Sequence, residues 1–134
     1  FAEAGVRVFA SSHTCLPVLQ PIDLRDGRRL IANNGAAGMP NFRGVRFGLV
    51  TRISARPRGD ALYGERLGAI HVEALAVRYD HAAWLDWFDA RWPEGTPASD
   101  SYRRRIVDGP SYELEQAVRS AVRPDAAMRQ TAVA

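Results

Sequence analysis

The segment "VFASSHTCLPVLQPIDLRDGRRLIANN" (residues 8–34) joins two apolar stretches through a short polar cluster. Val8 and Phe9 belong to an apolar run over residues 6–10, the polar cluster occupies residues 11–15, and Pro17 follows. Apolar runs that end in turn residues are typical of buried strands. The pattern therefore predicts a strand over residues 6–10, then a turn, then a second extended segment.

The polar cluster has two interpretations, because it contains His13 and Cys15 two positions apart. Serine and threonine beside a proline are ordinary residues for the end of a strand. Imidazole and thiolate are also good ligands for borderline metals, and in extended backbone residues i and i+2 point the same way. The cluster is therefore either a strand end or half of a metal site.

The residues after the cluster predict a hairpin and then an unusual loop. One strand covers residues 16–24, the turn lies at Asp26 and Gly27, and the return strand passes through residues 30–32. The next stretch, "NNGAAGMPN" (residues 33–41, the glycine loop), is too small in its side chains to fill a core. It is either a plain surface loop or a place where the backbone approaches a ligand closely.

The second half of the chain predicts two more strands and then helices. Alternating apolar residues favour strands over residues 45–55 and 68–79, with a loop over residues 56–67 between them. Asp80 is a good N-cap for a helix whose aromatic residues recur at helical spacing, so we expect that aromatic face to pack on the sheet rather than to hold a cofactor.

Two further helices follow from the distribution of capping residues. Ser99 or Asp100 is expected to cap a helix that ends at Gly109, and Ser111 to cap a third that runs to about Val122. Residues 124–134 are small and polar and predict a flexible tail. We thus predict mainly strands in residues 1–79 and helices in residues 80–123. The predicted fold class is α/β in the broad sense of a mixed fold, and α+β in the sense that strands and helices are segregated along the chain.

Composition and charge exclude several classes of protein. The 134 residues carry a net charge of +3, and their 18 basic residues, all arginine, are spread along the chain, which argues against a nucleic-acid partner. No apolar run is long enough to cross a membrane. The single cysteine cannot form an internal disulfide, so we expect a reducing, cytoplasmic environment.

The first residues resemble the last turn of a helix closed by Gly5, immediately before the first strand. A helix end without its helix predicts that the chain continues a longer protein. We therefore expect the strand at residues 6–10 to pair with a segment that precedes Phe1.

The polar cluster and the glycine loop, taken together, resemble the C-terminal signature of calcineurin-like metallophosphoesterases. That family has a strand ending in Gly-His-Thr-His, often followed by a residue and proline, then a short hairpin, then Asn-Pro-Gly-Ser-x-Gly-x-Pro. Here "SHTCLP" (residues 12–17) stands at the first motif and "NNGAAGMP" (residues 33–40) at the second. Both the order and the spacing agree.

The resemblance implies a metal-dependent hydrolase of phosphomonoesters or phosphodiesters. It implies that this chain is the C-terminal part of a four-layer αββα sandwich, with mostly antiparallel strands followed by helices. His13 would ligate the second of two divalent metal ions (Mn, Fe or Zn), and Cys15 stands where the family has a histidine ligand of the first. Asn34 and Gly35 would contact a small phosphoester substrate.

The sequence also departs from the family pattern. Ser12 replaces a glycine, Cys15 a histidine and Asn34 a proline, and the family's three N-terminal ligand motifs do not occur in this chain. We expect those ligands in a missing N-terminal half, so the chain alone is expected to be inactive. His71 is expected to lie within a strand and His81 to be exposed or beside a helix cap, so neither is expected to be a ligand. The alternatives are a non-catalytic module that binds a phosphate-bearing ligand, and a pseudoenzyme that lost the first metal through Cys15.

Overall fold

The computed structural model describes residues 1–123 and has an α+β architecture. Its strands are β1 Val8–Ser11, β2 Val18–Leu24, β3 Gly27–Asn33, β4 Phe47–Ser54, β5 Tyr63–Leu67 and β6 Ile70–Arg78. Its helices are α1 His81–Arg91, α2 Pro97–Asp108 and α3 Leu114–Ala117. The predicted order of strands first and helices afterwards is therefore correct for these residues, whereas residues 124–134, where the sequence predicts a tail, lie outside the described part.

Two three-stranded sheets form the centre of the structure, with strand orders β1-β3-β2 and β4-β6-β5. Strand β1 runs parallel to β3, whereas all other pairs are antiparallel. Buried residues from both sheets form one apolar cluster, namely Leu19, Leu30 and Ala32 from the first sheet and Leu67 and Val72 from the second. The core therefore lies between the two sheets.

The hairpin of β2 and β3 confirms the prediction closely. Leu24 pairs with Gly27, so the connection consists of Arg25 and Asp26, one residue earlier than the sequence indicates. Gly27 has a φ of 115°, which side-chain-bearing residues rarely adopt. The glycine accordingly closes the turn as the first residue of β3.

The loop predicted over residues 56–67 is wrong, because its last part is strand β5. Leu67 pairs with Ile70 across a tight turn in which Gly68 has a φ of 65°. Gly64 within the strand weakens the sequence signal for it. Burial nevertheless alternates along the strand, as expected when one face is covered: Tyr63, Glu65 and Leu67 are half-buried or buried, whereas Gly64 and Arg66 between them are exposed.

The helical half differs from prediction in its caps and in its last element. Asp80 caps α1 as predicted and accepts a hydrogen bond from the amide of Ala83 at 3.0 Å. Helix α2 is capped by Thr96 rather than by Ser99 or Asp100, because Pro97 pre-sets the first helical turn.

The third helix is much shorter than predicted, since it ends at Ala117. Residues beyond it run beside β2 instead: the amide of Val122 donates to the carbonyl of Pro21 at 3.0 Å, and the amide of Asp23 donates to the carbonyl of Val122 at 2.9 Å. This pairing satisfies the carbonyl of Pro21 and the amide of Asp23 on the open edge of β2, which a longer helix would leave without these partners.

The aromatic residues of α1 pack on one another rather than forming a face on the sheet. Trp84 and Trp87 stack with ring centroids 5.1 Å apart, and Trp92 lies against Phe88 at 5.0 Å. Trp87 remains 43% exposed. Helix α1 has its closest helical neighbour in α2, joined by the ion pair of Asp89 with Arg103 at 2.9 Å.

Within residues 1–123, none of the helices combines the length and the apolar character needed to cross a membrane. The longest, α2, has 12 residues.

A buried carboxylate on β6 makes stability pH-dependent. Glu73 accepts a hydrogen bond from the amide of Arg58 at 2.8 Å and pairs with the guanidinium of Arg52 at 2.6 Å. The Arg58 amide first, and then Arg52, hold the pKa of Glu73 below its ordinary value of 4.5. Because the pKa is lowered in the folded state, this stabilisation is complete above about pH 4.5 and is lost as the pH falls through the native pKa.

We therefore expect Glu73→Gln to lower the melting temperature at about pH 7 and the difference from the native protein to shrink towards about pH 3. Glu65→Gln, which removes a more exposed ion pair with Arg28, serves as the control and should have a small effect. Melting curves recorded across this pH range check the expectation. A melting-temperature difference between Glu73→Gln and the native protein that stays constant with pH would contradict this role of Glu73.

Candidate functional site

The two segments singled out in the sequence lie side by side in the structure. Strand β1 leads into residues 12–17, here called the histidine turn, and its parallel neighbour β3 leads into the glycine loop. The amide of Asn34 donates to the carbonyl of Ser11 at 3.1 Å, and the hydroxyl of Ser12 donates to the carbonyl of Gly35 at 3.0 Å. The parallel pairing of β1 with β3 therefore brings the histidine turn and the glycine loop to the same end of the first sheet.

Asn33 connects the two segments through its side chain. Its amide nitrogen donates to the carbonyl of Ser12 at 2.8 Å and to the hydroxyl of Ser11 at 3.2 Å, while its oxygen accepts from the amide of Gly35 at 2.7 Å. The residue is nearly buried. A buried amide with all these bonds fixes the histidine turn relative to the glycine loop.

The backbone of the histidine turn is unusual at the two predicted metal ligands. His13 has a φ of 80° and Cys15 a φ of 57°, and across residues 1–123 no other residue apart from glycine has a positive φ. This conformation costs an L-residue about 1–2 kcal/mol. Backbone strain of this kind concentrates at functional sites, where the surrounding structure maintains it.

The side chains of the two predicted ligands differ in exposure. His13 is exposed, whereas Cys15 is half-buried. Between them the hydroxyl of Thr14 donates to the carbonyl of Leu16 at 3.3 Å, and the amide of Thr14 donates to the carbonyl of Ser12 at 3.0 Å. The turn is therefore closed on itself and presents the imidazole to the surface.

The glycine loop is held from inside by Asn41, which is fully buried. Its side-chain oxygen accepts from the amide of Ala36 at 2.7 Å, and its nitrogen donates to the carbonyls of Ala36 at 2.6 Å and Met39 at 3.1 Å. A Cβ on Gly35, whose φ is 69°, would lie 2.2 Å from that oxygen. Only glycine fits at position 35, so this residue allows the loop backbone to pack closely against Asn41.

The loop is also attached to the second sheet. The side chain of Asn34 donates to the carbonyl of Leu49 on β4 at 2.8 Å, and the amide of Leu49 donates to the carbonyl of Ala36 at 2.8 Å. A shallow depression opens beside Asn34, lined by Ala10, Ser11, Ser12, Asn34, Val50 and Thr51. The candidate site therefore lies where the free edges of the two sheets approach each other.

The histidine turn carries one imidazole and one thiol, but both residues are left-handed, so the expectation that they point the same way, which requires extended backbone, does not hold. One imidazole nitrogen and one sulfur are suitable for Zn or Fe, whereas structural and catalytic sites use at least three protein ligands. Within the described stretch, residues 1–123, no three His, Cys, Asp or Glu side chains come together as a potential ion site. The turn therefore carries two residues of ligand type, fewer than such a site needs.

The two remaining histidines lie outside this site. His71 is half-buried on β6 and pairs with Arg66 and Ser54 in the sheet register. The Nε2 atom of His81 lies 2.7 Å from the carbonyl of Ile106 on α2, which ties α1 to α2. Both therefore occupy structural positions.

Sequence reasoning missed the residues that support the turn from behind. Asn33 and Asn41 had a weak signal as asparagines at the two ends of a segment rich in glycine. Arg105 and Tyr112 had none, because they contact the turn across more than 85 positions of sequence: Arg105 donates to the carbonyl of Cys15, and Tyr112 donates to that of Pro17 at 2.9 Å.

Comparison with family models, with curated proteins and with solved structures found no match to this chain.

Proposed function

We propose that this chain supplies part of the active site of a metal-dependent phosphoesterase. The observation that carries the proposal is the left-handed backbone at both His13 and Cys15, in a turn bonded directly to the glycine loop. Two left-handed residues other than glycine within one short turn are uncommon at the end of a strand. The resemblance of both segments to the metallophosphoesterase signature supplies the chemistry that would call for them.

In this proposal His13 binds the second of two divalent metal ions through its imidazole, and Cys15 occupies the position of a ligand to the first. Manganese, iron and zinc are the candidates, and thiolate ligation favours zinc or iron. A pair of such ions supplies charge neutralisation of the phosphate oxygens and activation of the attacking water. The protein's part is to keep the imidazole aimed outward, which the closed turn around Thr14 does.

Asn34 and Gly35 contact the phosphoester in this proposal. The Asn34 side chain is oriented by its bond to Leu49, and the backbone of Gly35 is fixed by Asn33 and Asn41. A fixed polar edge without bulky side chains allows a phosphate group to approach the backbone closely. These residues therefore orient the substrate and do not themselves exchange protons with it.

The remaining ligands come from a preceding half of the domain, which completes a four-layer αββα sandwich. Two packed sheets with helices in the second half of the chain support this arrangement. In residues 1–123, the outer edges of β1 and β4 have no strand beside them, and Phe9, Val50 and Ile53 on these strands are 43%, 38% and 48% exposed. Open edges with apolar side chains are suited to pairing with further strands.

The test is hydrolysis of nitrophenyl phosphate and bis-nitrophenyl phosphate by the full-length protein, with and without chelator. We expect turnover that disappears on chelation and returns with manganese or zinc, and no turnover from residues 1–134 alone. Metal-stimulated turnover by the 134-residue chain would contradict the shared site, and a full-length protein inactive with every metal would contradict the proposed activity.

A second candidate is a pseudoenzyme or a non-catalytic module that binds a phosphate-bearing ligand. The replacement of the family's second histidine by half-buried Cys15 favours it. In the same assay such a protein would bind a phosphoester without hydrolysing it. Cys15→His distinguishes the two, because it restores the family's ligand and should raise manganese-dependent turnover if the site is catalytic.

A further inference from the structure

Arg105 on α2 reaches the histidine turn from the other end of the chain. Its Nη2 atom donates a hydrogen bond to the carbonyl of Cys15, 90 positions earlier in sequence. We propose that Arg105 is a positioning residue for the turn that carries His13 and Cys15. The inference rests on the proposed function for its catalytic meaning, whereas the structural contact is independent of it.

The carbonyl that Arg105 binds belongs to one of the two left-handed residues. At a φ of 57° the Cys15 backbone is disfavoured, and rotation to an ordinary conformation would reorient the adjoining peptide group. A charged donor makes a stronger hydrogen bond than a neutral one. The bond to Arg105 therefore stabilises the conformation that the ligand positions require.

Part of the Arg105 guanidinium is shielded from solvent. The residue is half-buried, and its Nε atom is buried without a hydrogen-bond partner in residues 1–123. A buried donor without a partner costs free energy, so the packing around the guanidinium is not optimised for stability alone. Sequence neighbours behave differently: Arg103 makes a two-pronged ion pair with Asp89 at the surface, away from the turn.

Tyr112 reinforces the same support. Its hydroxyl donates to the carbonyl of Pro17 at 2.9 Å and to that of Gln116 at 2.8 Å, and its ring stacks on Phe42 with centroids 6.2 Å apart. Arg105 and Tyr112 thus hold carbonyls on the Cys15 and Pro17 side of the turn. Of the two, Arg105 binds the carbonyl of a predicted ligand itself, Cys15, whereas Tyr112 binds that of Pro17, two residues further on.

The thiol of Cys15 reports directly on this turn. Alkylation of Cys15 by iodoacetamide, followed by mass spectrometry of its peptide in the full-length protein, measures how accessible this half-buried thiol is in the turn. We expect Arg105→Ala to raise the alkylation rate about tenfold, because local opening becomes easier. Arg105→Lys keeps the charge but not the planar guanidinium, so its alkylation rate should lie between the rates of Arg105→Ala and the native protein. Arg103→Ala should change the rate less than about twofold, since its ion pair is exposed.

A merely structural role of Arg105 gives a different result. Alkylation would then rise only in proportion to the global unfolding constant, measured by urea denaturation of the same samples, and would depend on urea as global unfolding does. That outcome, or a native alkylation rate in Arg105→Ala, would overturn the proposal. A faster rate that is independent of low urea would support it.

Zinc titration separates this inference from the proposed function. We expect Zn²⁺ to slow alkylation of native Cys15 and Arg105→Ala to need about tenfold more Zn²⁺ for the same protection, in line with the effect of residues that orient metal ligands. Faster alkylation of the variant without any zinc protection of the native protein would support the positioning role and contradict the metal site. Equal protection and equal rates in both proteins would contradict the positioning role and support the metal site.

Discussion

If the protein has the proposed phosphoesterase activity, replacing His13 with glycine is expected to lower the metal-dependent rate of the full-length protein by about three orders of magnitude, since a catalytic metal supplies several kcal/mol of transition-state stabilisation. The same change should leave the protein as stable as before or slightly more stable. His13 is exposed and has a φ of 80°, so glycine removes little packing and relieves a strained backbone. Loss of activity with a gain in stability is typical of a residue kept for function.

His71→Gln is the matched control, because this histidine lies on β6 outside the candidate site. It should retain activity within a few-fold. Phosphate release and the melting temperature are measured for both variants. Unchanged turnover in His13→Gly together with a lower melting temperature would show that His13 is a structural residue.

Gly48→Ala is expected to destabilise the protein by about 3 kcal/mol or more, because it forces two backbone segments apart. A Cβ on Gly48 would lie 1.6 Å from the carbonyl oxygen of Ala37 in the glycine loop. The next residue, Leu49, is fully buried and bonds to Ala36. Relief of the clash therefore requires the loop to leave β4, which would also displace the Asn34 side chain from Leu49.

Gly38→Ala provides the control within the same loop. A Cβ at Gly38 has no atom within 4 Å, and the backbone there is ordinary. This change should alter the free energy of unfolding by less than about 1 kcal/mol in urea denaturation. Equal effects of the two substitutions would contradict the close seating of the glycine loop on β4.

The sequence predicted elements whose signals are local. The hairpin of β2 and β3 follows from apolar alternation around Asp26 and Gly27, and the start of α1 follows from the capping side chain of Asp80. Strand β5 was missed because Gly64 interrupts its signal and because Gly68 and Ala69, which form its turn to β6, are predicted as the start of the next strand. The last helix was predicted too long, because nothing in residues 118–122 indicates their pairing with β2.

In the candidate site, too, some features have a local sequence signal and others do not. Residue types alone single out His13, Cys15, Asn34 and Gly35, since imidazole, thiol and a glycine-rich turn have recognisable chemistry. Their adjacency depends on the parallel pairing of β1 with β3, which has no local sequence signature. The left-handed backbone of the histidine turn and the bond from Arg105 depend on packing between segments distant in sequence. Such features require the folded structure.

The metal content of the purified full-length protein tests the central claim most directly. Elemental analysis of the native protein and of His13→Gly, prepared in parallel, measures manganese, iron and zinc per chain. We predict one to two divalent metal ions per native chain and the loss of at least one in His13→Gly, with both proteins folded. Equal metal content in the two proteins, or no bound metal after growth with all three metals, would contradict a metal site at the histidine turn.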